Sequence, residues 1–318
     1  MTSTTELRNM LTLDYEMGPF ISLYVTFKEI SNKNEYLNLI QNIKTKFINK
    51  YDENLWFKYE RKLRKFNFDR AKHVDNGTGF ALFVSVKAIH SFTLTKSTDT
   101  KFVMADTMDI IPLIKELESE LHYRLLILEK NSFRLYRVDN KKISEINLVN
   151  KPISVLIDND QNKFYQLVDE YITDMFKDDN YLPTVLIANE KNHDLYAKIA
   201  KQHKLLKDIT YGDVVSDDNL NDIVDKVNQQ FYKAGIANNK FNYGKAKTNN
   251  AVSDDLKEII SDATSGKIDT LFVNEDKYDK LYNDLAITTI GFAGEVFVLS
   301  KEDMPVSADC AVINRKYV

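Results

Sequence analysis

Between residues 123 and 161 the chain runs through three strand patterns and then enters a helix, and few architectures accommodate that order. The strands cover 123–129, 133–139 and 142–148, joined by the short polar connections Lys130-Asn131-Ser132 and Asn140-Lys141, which are hairpin-length. The second and third strands alternate apolar with polar residues, so each has one buried and one wet face. The first is a nearly continuous apolar run, which predicts an inner strand covered on both sides. A loop over 150–161 follows, then a helix with Phe164, Leu167, Val168, Tyr171, Ile172 and Met175 on one face. A strand over 184–188 comes next, then a helix carrying Leu195, Ile199 and His203, with Asn189 or Asn192 as its cap. A further helix buries Leu220, Ile223, Val224, Val227 and Phe231; Asp213, Asp217, Asp218, Asp222 and Asp225 gather near its start, where the helix dipole favours them.

The flanking segments read as two more units. Residues 1–106 give a short helix, a strand over 20–27 after Gly18-Pro19, and a helix with Tyr36, Ile40, Ile43 and Phe47 on one face. Asn32 and Glu35 have the spacing of a capping pair. Strands follow over 79–86, 89–94 and 101–105. A helix over 109–121, with Pro112 tolerated in its first turn, opens the middle unit, 107–240. Residues 241–250 read as a loop and a boundary. The last unit, 241–318, has a helix with Val252, Leu256, Ile259, Ile260 and Ala263 on one face and Gly266 as its C-cap. A strand over 270–273, a helix over 276–285 and strands over 296–299 and 311–313 complete it. The fold class expected is therefore mixed α/β and α+β in three units.

Net charge is −4, so any nucleic-acid binding must come from a local patch. The strongest is the helix over 52–66. Trp56, Tyr59, Leu63 and Phe66 lie on one side and Lys58, Arg61, Lys62 and Lys65 on the other, with Arg64 at the border; Arg70, Lys72 and His73 follow. Four cations in register suit phosphates, and a solvated face opposite a core face is the plainer reading. Lys245 and Lys247 make a smaller patch. Cys310 is the single cysteine, which excludes a disulfide within the chain and a cysteine-based zinc site; it reads as a buried thiol. His73, His90, His122, His193 and His203 have no metal-ligand spacing, and no P-loop or Gly-x-Gly-x-x-Gly is present. Asp158, Asp160, Asp178 and Asp179 fall in loops rather than on strands, which disfavours a nuclease cluster. No cofactor or metal is expected. The N-terminus lacks a signal-peptide pattern and no apolar run is long enough to span a bilayer, so a cytoplasmic location without membrane contact is expected.

Gly18-Pro19-Phe20-Ile21-Ser22-Leu23-Tyr24, the run Gly77-Thr78-Gly79-Phe80-Ala81-Leu82-Phe83, the order of elements in the middle unit and the stretch 263–273 carry a resemblance. The chain resembles the bacterial archaeo-eukaryotic release factor family, within the class 1 peptide-chain release factor superfamily. The resemblance implies a ribonuclease H-like middle unit and a third unit with the fold of kink-turn-binding ribosomal proteins, used for protein partners. In release factors the loop after the third strand carries Gly-Gly-Gln, which enters the peptidyl-transferase centre. Here the chain has no Gly-Gly pair, and the equivalent loop holds Lys151, Pro152, Ile153, Val155, Leu156 and Ile157, with Gln161 at the helix entrance. Close backbone approach needs glycine, so these residues suit packing, against their own unit or a partner. The resemblance thus implies a non-catalytic factor occupying, rescuing or silencing the ribosomal A site, with rRNA or tRNA as ligand and a translational GTPase or another protein as partner. A diverged hydrolase or nuclease using other middle-unit residues, and an interaction module no longer acting on ribosomes, are the alternatives.

Overall fold

The computed structural model of the protein describes residues 3–13, 19–74, 77–96, 99–118, 121–140, 142–152, 160–178, 181–201, 204–206, 219–277 and 279–315. Among the described residues the architecture is mixed α/β with three sheets. The chain divides into two compact units, one formed by 1–118 together with 236–318 and the other by 119–235.

The first unit begins with α1 (Ser3–Leu13), β1 (Phe20–Thr26), α2 (Lys33–Ile48), α3 (Glu53–Lys65), α4 (Phe68–Lys72), β2 (Gly79–Val84), β3 (Ile89–Leu94), β4 (Lys101–Ala105) and α5 (Ile111–Leu117). Its strands form an antiparallel sheet in the order β3-β2-β1-β4. Successive side chains of β1 go to opposite faces. Ile21, Leu23 and Val25 join Phe80 and Leu82 under the helices, against Tyr36, Phe47, Trp56, Tyr59 and Leu63. Phe20 and Tyr24 join Phe83 and Phe92 in a second cluster on the other face. The glycine of the Gly77-Thr78-Gly79 run that matters sterically is Gly79: a Cβ there would lie 2.0 Å from the Val25 carbonyl oxygen. Asn32 caps α2, its Oδ1 accepting from the amides of Asn34 and Glu35 at 3.0 and 3.1 Å. Glu35 reaches back to the Ser31 amide at 2.6 Å, one residue earlier than a reciprocal capping box requires.

The second unit holds β5 (His122–Leu128), β6 (Phe133–Asp139), β7 (Lys142–Glu145), α6 (Gln161–Met175), β8 (Thr184–Ile187), α7 (Glu190–Ile199), β9 (Leu205–Leu206) and the start of α8 (Leu220–Lys247). The sheet order is β7-β6-β5-β8-β9, antiparallel through β7-β6-β5 and parallel through β5-β8-β9. β5 is the inner strand, as its apolar run requires. Leu126 and Leu128 pack with Phe164, Val168, Ile172 and Tyr196 of α6 and α7. Tyr123, Leu125 and Ile127 pack with Ile223, Val224 and Val227 of α8. Asn189 caps α7, accepting from the Asn192 amide at 2.9 Å. His203, Asp158, Asp179, Asp213, Asp217 and Asp218 lie outside the described residues.

The expected loop at 241–250 is corrected: α8 continues through Lys247. Tyr243 and Ala246 are buried, and Tyr243 joins Phe272, Leu299, Met304 and Ala311 in an apolar cluster. Burial of an apolar face outweighs the roughly 1 kcal/mol that Gly244 costs within a helix. The remainder of the first unit is β10 (Val252–Ser253), α9 (Leu256–Thr264), β11 (Ile268–Asn274), α10 (Lys280–Gly291), β12 (Glu295–Leu299) and β13 (Cys310–Asn314), with sheet order β10-β13-β11-β12. The helix expected from 276 starts four residues later, because Asp279 caps it through the amides of Leu281 and Tyr282. Gly266 ends α9 with φ +66°, as a C-cap glycine should. Ile259, Leu271, Val273, Val298 and Val312 complete the cluster on the second face of the first sheet, together with Ile111 and Ile114 of α5. Cys310 is buried, and burial pushes its thiol up to about 11.

Candidate nucleic-acid interface

The basic helix of the sequence is α3, and its geometry separates its cations into two kinds. Asp52 starts it, accepting from the Asn54 amide at 2.9 Å. Trp56, Tyr59 and Leu63 are buried. Each such side chain contributes about 1.5–3 kcal/mol of apolar burial. Two hydrogen bonds fix its rotation: Tyr59 donates to the Pro19 carbonyl at 2.5 Å, and Tyr36 of α2 donates to the Leu63 carbonyl at 2.9 Å. The polar face is thereby held toward solvent.

Two of the cations are committed to the protein itself. Lys62 Nζ donates to the carbonyls of Val86 at 2.6 Å, Ser85 at 3.1 Å and Lys58 at 3.3 Å, tying the β2–β3 turn to α3. Arg64 Nε donates to Glu60 Oε1 at 2.7 Å, and Trp56 Nε1 donates to the other oxygen at 2.8 Å. Burial raises the Glu60 pKa, but the hydrogen bonds from Arg64 and Trp56 and the charge of Arg64 outweigh it and hold the carboxyl below its usual value. Arg61 and Lys65 are exposed and, among the described residues, make no ion pair or side-chain hydrogen bond. Lys58 is exposed as well.

An open groove of about 670 Å³ runs beside this face. Arg61, Lys62, Lys65 and Phe66 line it from α3 and its cap, and Lys87, Ile89 and Ser91 line it from the β2–β3 turn and β3. The buried Ser85 shapes that turn, its Oγ accepting from the amides of Lys87 and Ala88 at 3.2 and 3.0 Å. Phe66 rests on Phe80 with ring centroids 4.8 Å apart. Lys87 escapes sequence reasoning because it is brought to the groove by the strand pairing, in a turn with no helical periodicity to mark it. The exposed Arg61 and Lys65 face one open groove with an aromatic and an aliphatic wall, which can bind a polyanion by neutralising its phosphates.

The other predicted residues lie elsewhere. Arg70 and Lys72 are exposed on α4, outside the groove lining, and Lys72 Nζ donates to the Ser31 carbonyl at 2.5 Å. Lys245 and Lys247 sit in the last turn of α8, where cations complement the helix dipole; neither lines the groove. Lys151 borders a smaller depression of about 340 Å³ with Phe133, Glu145, Ile146, Asn147 and Leu148. Ile153, Val155 and Ile157 lie outside the described residues. Gln161 is held in place: its Nε2 donates to the Tyr165 hydroxyl and to Asn192 Oδ1, both at 2.8 Å, and Tyr165 donates on to the Glu129 carbonyl at 3.1 Å. It thus joins the starts of α6 and α7 to the end of β5. Asp160 caps α6 through the Lys163 amide. Among the described residues no group of three or more His, Cys, Asp or Glu side chains could hold a metal ion, and no helix is long and apolar enough to cross a membrane.

Residues 149–267 match the model of bacterial archaeo-eukaryotic release factor family 3. The resemblance drawn from the sequence is therefore met over that stretch, which contains the loop at 150–161 and α8. The chain is also similar to solved structures. The archaeal Pelota of a ribosome-bound model with ABCE1 is 13% identical, over 76% of this chain and 78% of that one, with a TM-score of 0.47. Archaeoglobus fulgidus Pelota is 13% identical over 76% and 80%, with a TM-score of 0.41. S. cerevisiae Dom34, described as a translation termination-like factor interacting with Hbs1, is 13% identical over 74% and 80%, also with a TM-score of 0.41. No curated protein matches the chain.

Proposed function

We propose that this protein is a translation-associated RNA-binding factor of the release-factor type, which docks in the ribosomal A site and does not hydrolyse peptidyl-tRNA. The observation that carries the reading is the α3 groove, where Arg61 and Lys65 are held by a rigid helix with no protein partner among the described residues. Phosphates of rRNA or tRNA are the ligand that such a groove suits. The family match over 149–267 supports the translational context. Two features support the absence of peptide release: the chain has no Gly-Gly pair, and both hydrogens of the Gln161 amide are engaged within its own unit. Occupancy, rescue or hibernation of ribosomes are the forms this function would take. On this reading the ribonuclease H-like middle segment points toward the peptidyl-transferase centre. The C-terminal segment, with the kink-turn-binding fold, receives a protein partner such as a translational GTPase, and the protein works in the cytoplasm.

Co-sedimentation with 70S ribosomes over a salt series tests this. Binding is expected to saturate, to compete with A-site tRNA, and to weaken steeply with salt. Reversing Arg61 and Lys65 to Glu should flatten the dependence of log K on log salt by about 0.7–0.9 for each phosphate that is no longer neutralised. Lys62 is left in place because it holds the fold. Ribosomes carrying peptidyl-tRNA should release no peptide. Absence of binding at low salt would overturn the reading, and peptide release abolished by Gln161→Ala would overturn its non-catalytic half.

A further inference from the structure

α3 carries an exposed aromatic that neither the core nor the groove wall accounts for. Phe57 is 61% exposed, although the same helix buries Trp56 and Tyr59 almost completely. Residues four apart on a helix are surface neighbours, with Cβ atoms about 5–6 Å apart. Phe57, Arg61 and Lys65 therefore form one continuous ridge, with Arg61 and Lys65 also lining the groove. A solvent-exposed phenyl ring costs free energy, and here it stands in line with Arg61 and Lys65, whose side chains make no ion pair or hydrogen bond among the described residues. Arg64, on the other flank, is occupied by Glu60.

A phenyl ring followed by two cations at one-turn intervals matches a particular chemistry. A duplex presents phosphates at its surface and hides its base faces in the stack. An unpaired strand presents phosphates and free base faces together. An aromatic platform adds affinity only for the second, because stacking needs an open π-face. We propose that Phe57 is a stacking platform and that the ridge Phe57–Arg61–Lys65 selects unpaired RNA nucleotides over duplex RNA. This deepens the RNA-binding reading of the groove and rests on it. Arg61 and Lys65 hold the backbone of the strand, and the ring takes a base next to it.

The test uses the full chain, a labelled 12-nucleotide oligoadenylate and a blunt 12-base-pair RNA duplex, with binding followed by fluorescence anisotropy from 25 to 200 mM salt. The single strand should bind more tightly than the duplex. Phe57→Ala should weaken single-strand binding roughly tenfold, leaving duplex binding and the salt slope unchanged. Phe57→Trp should restore or strengthen the single-strand affinity. Arg61→Ala with Lys65→Ala should weaken both ligands and flatten both slopes. Phe57 is not part of the apolar cluster beneath α3, so these variants should keep the far-UV spectrum and melting temperature of the parent, which checks that any loss is local. Equal binding of both RNAs, or unchanged single-strand affinity in Phe57→Ala with the charge variants still impaired, would overturn the stacking proposal and leave the RNA-binding reading standing. No binding of either RNA at 25 mM salt would overturn both.

Discussion

Lys62 and Arg61 are adjacent in sequence, alike in charge and on the same face of the helical wheel, yet they do different things. The Lys62 ammonium is engaged by three backbone carbonyls. That of Lys65 and the guanidinium of Arg61 are not so engaged among the described residues. Charge-assisted hydrogen bonds of this kind contribute more than neutral ones, and losing them leaves carbonyls partly unpaired. Lys62→Met should therefore cost about 1–2 kcal/mol of stability, read as a lower midpoint in urea unfolding with an unchanged m-value. Lys65→Ala should change stability by no more than about 0.5 kcal/mol. Equal effects of the two would mean that the turn carbonyls are not held by Lys62 in solution. Periodicity placed all these cations on one face but could not separate them, because the acceptors on Ser85 and Val86 come from a turn more than twenty residues away. Gln161 has the same history. Its position at a helix entrance is evident from the chain, whereas its bond to Asn192 spans 31 residues and depends on the packing of α6 beside α7.

Elements whose burial repeats along the chain were the legible ones. The continuous apolar run of β5 identified a strand covered on both faces, and the amphipathic pattern of α3 identified both its core side and its wet side. α8 was read short for the opposite reason. Its second half contains Gly235, Gly244, Asn238, Asn239, Asn242 and several lysines, which are turn-like in composition. The sparse burial of Asn239, Tyr243 and Ala246 is what holds it helical. A Cβ added to Gly244 meets no atom within 4 Å. Gly244→Ala should therefore stabilise the protein by about 0.5–1 kcal/mol by removing the entropic cost of glycine in a helix. Thermal or urea unfolding of the variant measures this directly. If 241–250 were a loop, the substitution would have no helix to favour, and a neutral or negative result would point there.

At the scale of the whole molecule, what the linear sequence conceals is which segments share a core. Residues 1–118 and 236–318 are separated by more than a hundred residues, yet they belong to one compact unit. Phe20, Tyr24, Phe83 and Phe92 on one face of the first sheet lie in the same cluster as Ile259, Leu271, Val273, Val298 and Val312. Hydrogen bonds from α10 reinforce this packing: Asn283 Nδ2 donates to the Met108 carbonyl at 2.7 Å, and its Oδ1 accepts from the Ile110 amide at 2.8 Å. Strand and helix patterns are local, while the partner of an apolar face is not. A fragment ending at 118 would leave its second face without those partners, and an exposed apolar face of that size drives association. Expressed alone, 1–118 should be insoluble or bind a hydrophobic dye strongly. Co-expressed with 236–318, it should become soluble and co-purify with that fragment at a one-to-one ratio. The groove of α3 lies wholly within 1–118, but its shape depends on the sheet beneath it, so the paired fragments should show the proposed salt-dependent RNA binding and 1–118 alone should lack it. A soluble, dye-free and RNA-binding 1–118 would show that the shared core contributes little, and the first sheet would then have to be stable with one face open to water.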